Sequence, residues 1–151
     1  MDDTLEDLVA KIRRRPCAID QLRDEAKKLP ELVDTIRALA AFAKSLAPEA
    51  KYWIQGERYV LYPNFVAFTV RHKRSHHLTI TLRGNIGEFD GFSELPLKEG
   101  RAGSYADCNL RSPKELAAAA AYIQRAYQIY QRGGARVRKK IVKTEVPVSK
   151  R

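Results

Sequence analysis

The six residues Leu78-Thr79-Ile80-Thr81-Leu82-Arg83 alternate apolar and polar without a break. A helix would scatter that pattern around its axis. A strand sends Leu78, Ile80 and Leu82 to one face and Thr79, Thr81 and Arg83 to the other. The chain must therefore build a sheet with one buried face and one face that is wet or bound. Neighbouring segments supply the partners. Tyr59-Val60-Leu61-Tyr62 reads as a short strand closed by Pro63-Asn64, and residues 65–70 as a strand rich in aromatic and β-branched side chains. Residues 105–110 return as a fourth.

The period differs on either side of this sheet. Residues 4–14 place Leu5, Leu8, Val9 and Ile12 on one helical face, with Thr4 as cap and Pro16 as stop. Acidic residues sit at the start of that helix and Arg13, Arg14 and Arg15 at its end, where the helix dipole favours them. A second helix is expected over 19–28. A third, opened by Pro30, carries Leu32, Ile36, Leu39, Ala43 and Leu46 on one stripe and ends near Pro48. Ser112-Pro113-Lys114-Glu115 is a capping box with proline at the first helical position. It opens a helix to about Gln131, closed by Gly133-Gly134, with Leu116, Ala120, Ile123, Tyr127 and Tyr130 on its expected buried face. Residues 84–104 hold five glycines and a proline and read as a long irregular connection, with a short helical turn near 92–97.

The expected fold is α+β: a helical N-terminal region (1–50), an antiparallel sheet of about four strands packed by one long C-terminal helix (51–132), and a basic flexible tail (133–151). At 44% hydrophobic residues the chain has enough apolar material for a core without disulfides. Cys17 and Cys108 match no metal spacing. With no secretory leader pattern, they point to the cytoplasm. The longest apolar runs fall far short of the ~20 residues that cross a bilayer, so no membrane-embedded role is expected, while a peripheral one at an anionic surface through the tail stays open.

Several motifs bear on identity: Tyr59-Val60-Leu61-Tyr62, Asn64-Phe65-Val66-Ala67-Phe68, the Leu-x-Ile-x-Leu strand, Tyr105-x-Asp107, Ser112-Pro113-x-Glu115-Leu116 and Ile123-x-x-Ala126-Tyr127. On these, residues 57–131 resemble a small bacterial α+β domain of unknown function labelled "predicted transport protein". Their layout is similar to the MmcQ/YjbR-like double-wing group. The resemblance implies a non-enzymatic cytoplasmic fold in which hairpins on a sheet contact nucleic acid. It brings no catalytic residues with it. The helical first fifty residues and the basic tail depart from the pattern.

Charge points the same way. The net charge is +10, yet residues 1–50 hold nine Lys/Arg against ten Asp/Glu, and residues 131–151 hold eight against one. The other concentration is the run Arg71-His72-Lys73-Arg74-Ser75-His76-His77 between two strands. Nucleic acid, with DNA preferred, is the expected partner. The expected contact residues are Arg71, His72, Lys73, Arg74, His76 and His77 at the hairpin tip, and Arg136, Arg138, Lys139, Lys140 and Lys143 in the tail. Arg58, Arg83 and Arg111 are secondary candidates. No Cys, Asp or Glu lies within the tip to help its three histidines hold a metal, so neither metal nor cofactor is expected. No nucleophile elbow, phosphate loop or dinucleotide fingerprint is present, and no catalysis is expected. Most of the aromatic group Tyr52, Trp53, Tyr59, Tyr62, Phe65 and Phe68 is expected in the core, with Phe65 and Phe68 on opposite strand faces. The alternative reading is a protein-interaction or dimerisation module working through the N-terminal helices, motivated by the third helix's stripe.

Overall fold

The computed structural model describes Leu5, residues 17–100 and residues 103–133. The expected helix over 4–14, with its Arg triplet, and the tail beyond Gly133 lie outside the described residues. Helix α1 spans Ala18–Glu25, with Cys17 in extended conformation before it, and runs into a 3-10 turn at Ala26–Lys28. Leu29 takes φ −121°, ψ 75°, as a residue before proline must when the ring excludes it from the helical region. Pro30 does not open the next helix. It occupies the second position of a turn closed by Leu32 N–H to the Leu29 carbonyl at 2.8 Å. Helix α2 therefore starts later than the sequence suggests, at Val33–Leu46.

The chain then forms strands β1 (Lys51–Gln55), β2 (Arg58–Tyr62), β3 (Val66–Arg71), β4 (His77–Arg83), β5 (Lys98–Glu99) and β6 (Tyr105–Leu110). They make one six-stranded antiparallel sheet in the order β1-β2-β3-β4-β6-β5. The expected four strands are all present; β1 and β5 are additions. Strand β1 is an edge strand from which only Tyr52 is partly buried, so it lacks the alternation that reveals a strand in sequence. It turns into β2 through Gly56 at φ 61°. β5 is two residues long, inside the segment read as irregular.

Helix α3 (Leu116–Gln131) follows a 3-10 turn at Pro113–Glu115. The capping box forms as expected. Ser112 Oγ accepts from Lys114 N–H at 3.2 Å, and Glu115 Oε1 accepts from the N–H groups of Arg111 and Ser112 at 2.7 and 3.2 Å. Gly133 closes the helix at φ 72°. The buried face is rotated from the expected one. Ala118, Ala119, Tyr122, Ile123, Ala126 and Ile129 are buried, while Leu116, Ala120, Tyr127 and Tyr130 are only partly so. An alanine-rich helix permits several stripes, and here the small residues bring the helix close to the sheet.

All three helices share one apolar cluster with one sheet face, so the change at residue 50 is a change of secondary structure within a single core. Leu78, Ile80 and Leu82 are fully buried in it, each worth roughly 1.5–3 kcal/mol of transfer free energy. The stripe of α2 packs there too: Leu32, Ile36, Leu39, Ala40 and Ala43 are buried and Leu46 partly so. Phe65 and Phe68 are both fully buried, against the expectation of opposite faces. Phe65 precedes β3, so strand alternation does not govern it; it packs on Tyr127 with ring centres 5.0 Å apart. Among the described residues no helix is long and apolar enough to cross a membrane.

Candidate nucleic-acid interface

Strand pairing determines which side chains share the face opposite the helices. One row across it is Gln55, Arg58, Thr69, Thr79 and Asn109; the next is Trp53, Val60, Ala67, Thr81, Asp107 and Lys98. Among the described residues, no helix packs on this face. Thr79 donates to Asn109 Oδ1 at 3.0 Å across the strands. The floor residues Val60, Ala67 and Thr69 are nevertheless almost inaccessible, at 1%, 3% and 2% exposure. They help line a hollow of about 280 Å³ whose lining also includes Arg58, Arg71, Tyr105 and Asp107.

The basic run forms the end of this sheet. Arg71 pairs with His77 as the last step of the β3–β4 ladder, and residues 72–76 connect them. Arg71, Lys73, Arg74 and His76 are exposed, His72 is half-buried and His77 is buried. The tip is short and lies beside α1 and the β1–β2 turn. Between them is a cleft of about 560 Å³ lined by Glu25, Lys28, Glu57, Arg71, Lys73 and Arg74, among others. Two cations there have carboxylate partners: Arg71 with Glu57 at 3.6 Å and Lys28 with Glu25 at 2.7 Å. Lys73 and Arg74 make no ion pair among the described residues.

Two secondary candidates join this end. Arg58 lies one row in from Arg71, with its guanidinium donating to Gln55 Oε1 at 3.1 Å. Arg111 follows Leu110, which pairs with Leu78 beside His77. The cations Arg111, Arg71 and Lys98 act on His77. Burial first, then Arg111, Arg71 and Lys98, push its imidazole below the ordinary histidine value. The His77 Nδ1 is buried with no hydrogen-bond partner among the described residues.

Arg83 does not join them. It lies at the other end of β4, is 7% exposed, donates to the Asn64 carbonyl at 3.0 Å and covers the Tyr130 ring at 5.2 Å. The alternation that sends Arg83 away from the core fails because the strand ends there. The tail candidates Arg136, Arg138, Lys139, Lys140 and Lys143 lie outside the described residues.

Two aromatics grouped with the core in the sequence, and one carboxylate not singled out there, lie on the open face. Trp53 and Tyr62 are 57% and 39% exposed and stand edge to face, ring centres 6.0 Å apart. Asp107 has its Oδ1 shielded from solvent with no hydrogen-bond partner among the described residues. Alternation around buried Cys108 marks Asp107 as outward-facing, but only the register puts it beside Thr81. Cys108 itself is in the core, its thiol pushed up to about 12 by burial and then by Asp107 and Glu115, the reverse of an activated nucleophile. Among the described residues no group of three or more His, Cys, Asp or Glu side chains is placed to hold a metal ion.

The long connection 84–104 is a clamp on α3. Asn85 caps a 3-10 turn at Ile86–Glu88, Phe89 and Leu95 are buried, and Arg125 Nε donates to the Glu88 carbonyl at 2.9 Å. No protein-family model matches the chain, and no curated protein and no solved structure shows significant similarity to it, so the double-wing likeness rests on the quoted residues alone.

Proposed function

We propose that this chain is a non-catalytic nucleic-acid-binding module that holds phosphates at the cationic end of its sheet. The observation that carries the reading is the convergence of Arg58, Arg71, Lys73, Arg74 and Arg111 on one end of the sheet, where strand pairing brings in residues far apart in sequence. The depressed basicity of His77 supports it, because that shift includes repulsion from Arg111 and Arg71. The basic tail would add sequence-independent attraction of the same sign.

The test is fluorescence anisotropy of labelled single-stranded DNA, duplex DNA and RNA with the full chain at several salt concentrations. Log affinity should fall linearly with log salt. Replacing Arg71, Lys73 and Arg74 together by Ala should make that slope shallower by roughly 2–3, the loss of three phosphate contacts at 0.7–0.9 each. A chain that binds none of the three at 50 mM salt is not a nucleic-acid-binding module.

A further inference from the structure

We infer that the ligand is a single strand lying across the open face of the sheet, with a base bearing an exocyclic amino group seated against Asp107. The inference rests on the nucleic-acid reading above and specifies its substrate. Three observations on one face carry it. The hollow of about 280 Å³ is too small to take a duplex, and lies just below the ~300–1,000 Å³ usual for small-molecule sites, a size suited to one base. Val60, Ala67 and Thr69 in its lining are almost inaccessible, so this part of the face offers little flat surface to a helical groove, whereas an unstacked base matches the hollow in size. Beside it Trp53 and Tyr62 expose ring surface on which a neighbouring base can stack.

Asp107 gives the hollow its chemistry. Its shielded Oδ1 lacks a donor among the described residues, while Arg58 and Arg71 are among the residues lining the same hollow and favour an anionic backbone beside it. A carboxylate opposes phosphate but accepts from an amino group, as acidic side chains do from cytosine N4. The cations therefore hold the backbone and Asp107 reads the base. Thymine and uracil carry no exocyclic amine and can offer the carboxylate only their ring N3–H, a single donor deeper in the base edge.

Trp53 is the chain's single tryptophan, so its fluorescence reports on this face directly. The experiment titrates the full chain with oligo(dC), oligo(dT) and a duplex of equal length at low salt, reading both Trp53 emission and the anisotropy of labelled oligonucleotide. Oligo(dC) should quench Trp53 and bind about tenfold more tightly than oligo(dT). The duplex should bind without quenching. Asp107→Ala should abolish the preference for oligo(dC) while leaving oligo(dT) affinity equal or higher, a pattern that damage to the fold would not produce. Trp53→Leu should weaken single-strand binding by roughly fivefold or more. Binding by anisotropy with unchanged Trp53 emission, or equal quenching by duplex, overturns the inference and leaves the broader reading standing. Equal affinity for oligo(dC) and oligo(dT) overturns the role of Asp107. Failure of every oligonucleotide to bind overturns the nucleic-acid reading itself.

Discussion

The Arg83 guanidinium lies 5.2 Å above the centre of the Tyr130 ring, locking the end of β4 to the last turn of α3. The same group donates to the Asn64 carbonyl at 3.0 Å, so the strand, the loop before β3 and the helix meet at one side chain. Arg83→Ala should lower unfolding free energy by roughly 2–3 kcal/mol, from the lost charged hydrogen bond and cation–π contact. Urea denaturation would measure it. The salt dependence of nucleic-acid binding by the folded variant should match that of the parent, unlike Arg58→Ala or Arg111→Ala.

Tyr122 ties the long connection to α3 through one hydroxyl. It donates to the Leu95 carbonyl at 2.7 Å and accepts from Phe92 N–H at 2.8 Å. Tyr122→Phe keeps the ring between Phe89 and Phe92 but strands both backbone groups. The expected cost is about 1–3 kcal/mol. Hydrogen exchange should quicken at Phe92 and Leu95 before it does in β4. Unchanged protection at these amides would show that the hydroxyl does not hold the loop.

What the sequence made legible were features written in neighbouring residues. The alternation through 78–82, the Ser112–Glu115 box and the density of cations at 71–77 each depend on a few consecutive side chains, and each appears in the fold. What it hid depends on pairing. Arg58, Arg71 and Arg111 form one end of a sheet only because β2, β3, β4 and β6 align as they do. Trp53 and Asp107 share a row only through three intervening strands, so neither stood out from a generic core or cap residue. Residue types could not orient α3 either, because alanine fits the buried and the exposed side alike.

Gly84 marks where β4 leaves the sheet. Its φ of 139° is a conformation that side chains resist, and an added Cβ would come within 2.8 Å of both Ile129 Cδ1 and Phe89 Cε2. Gly84→Ala therefore combines backbone strain with overpacking between α3 and the clamp loop. The expected destabilisation is about 3 kcal/mol or more by urea denaturation. Gly87, where an added Cβ meets nothing within 4 Å and the backbone is ordinary, is the control, and Gly87→Ala should be near neutral.

His77 supplies a pH dependence whose sign is fixed by its surroundings. Burial, followed by Arg111, Arg71 and Lys98, lowers its folded-state pKa below the ordinary 6.5. The unfolded chain therefore binds the proton more readily, and this residue's contribution makes stability fall as pH drops through 6.5 toward the folded value. Replacing His77 by Asn should flatten that part of the stability profile between pH 7.5 and pH 5. Binding should show the opposite trend. A phosphate chain on Arg71 and Arg111 offsets the repulsion that depresses His77, so the complex takes up protons and affinity rises as pH falls. The measurement is oligonucleotide affinity at fixed salt across the same range for parent and His77→Asn. The difference in pH slope between them isolates His77 from the exposed histidines of the tip, and identical slopes would detach it from the binding end.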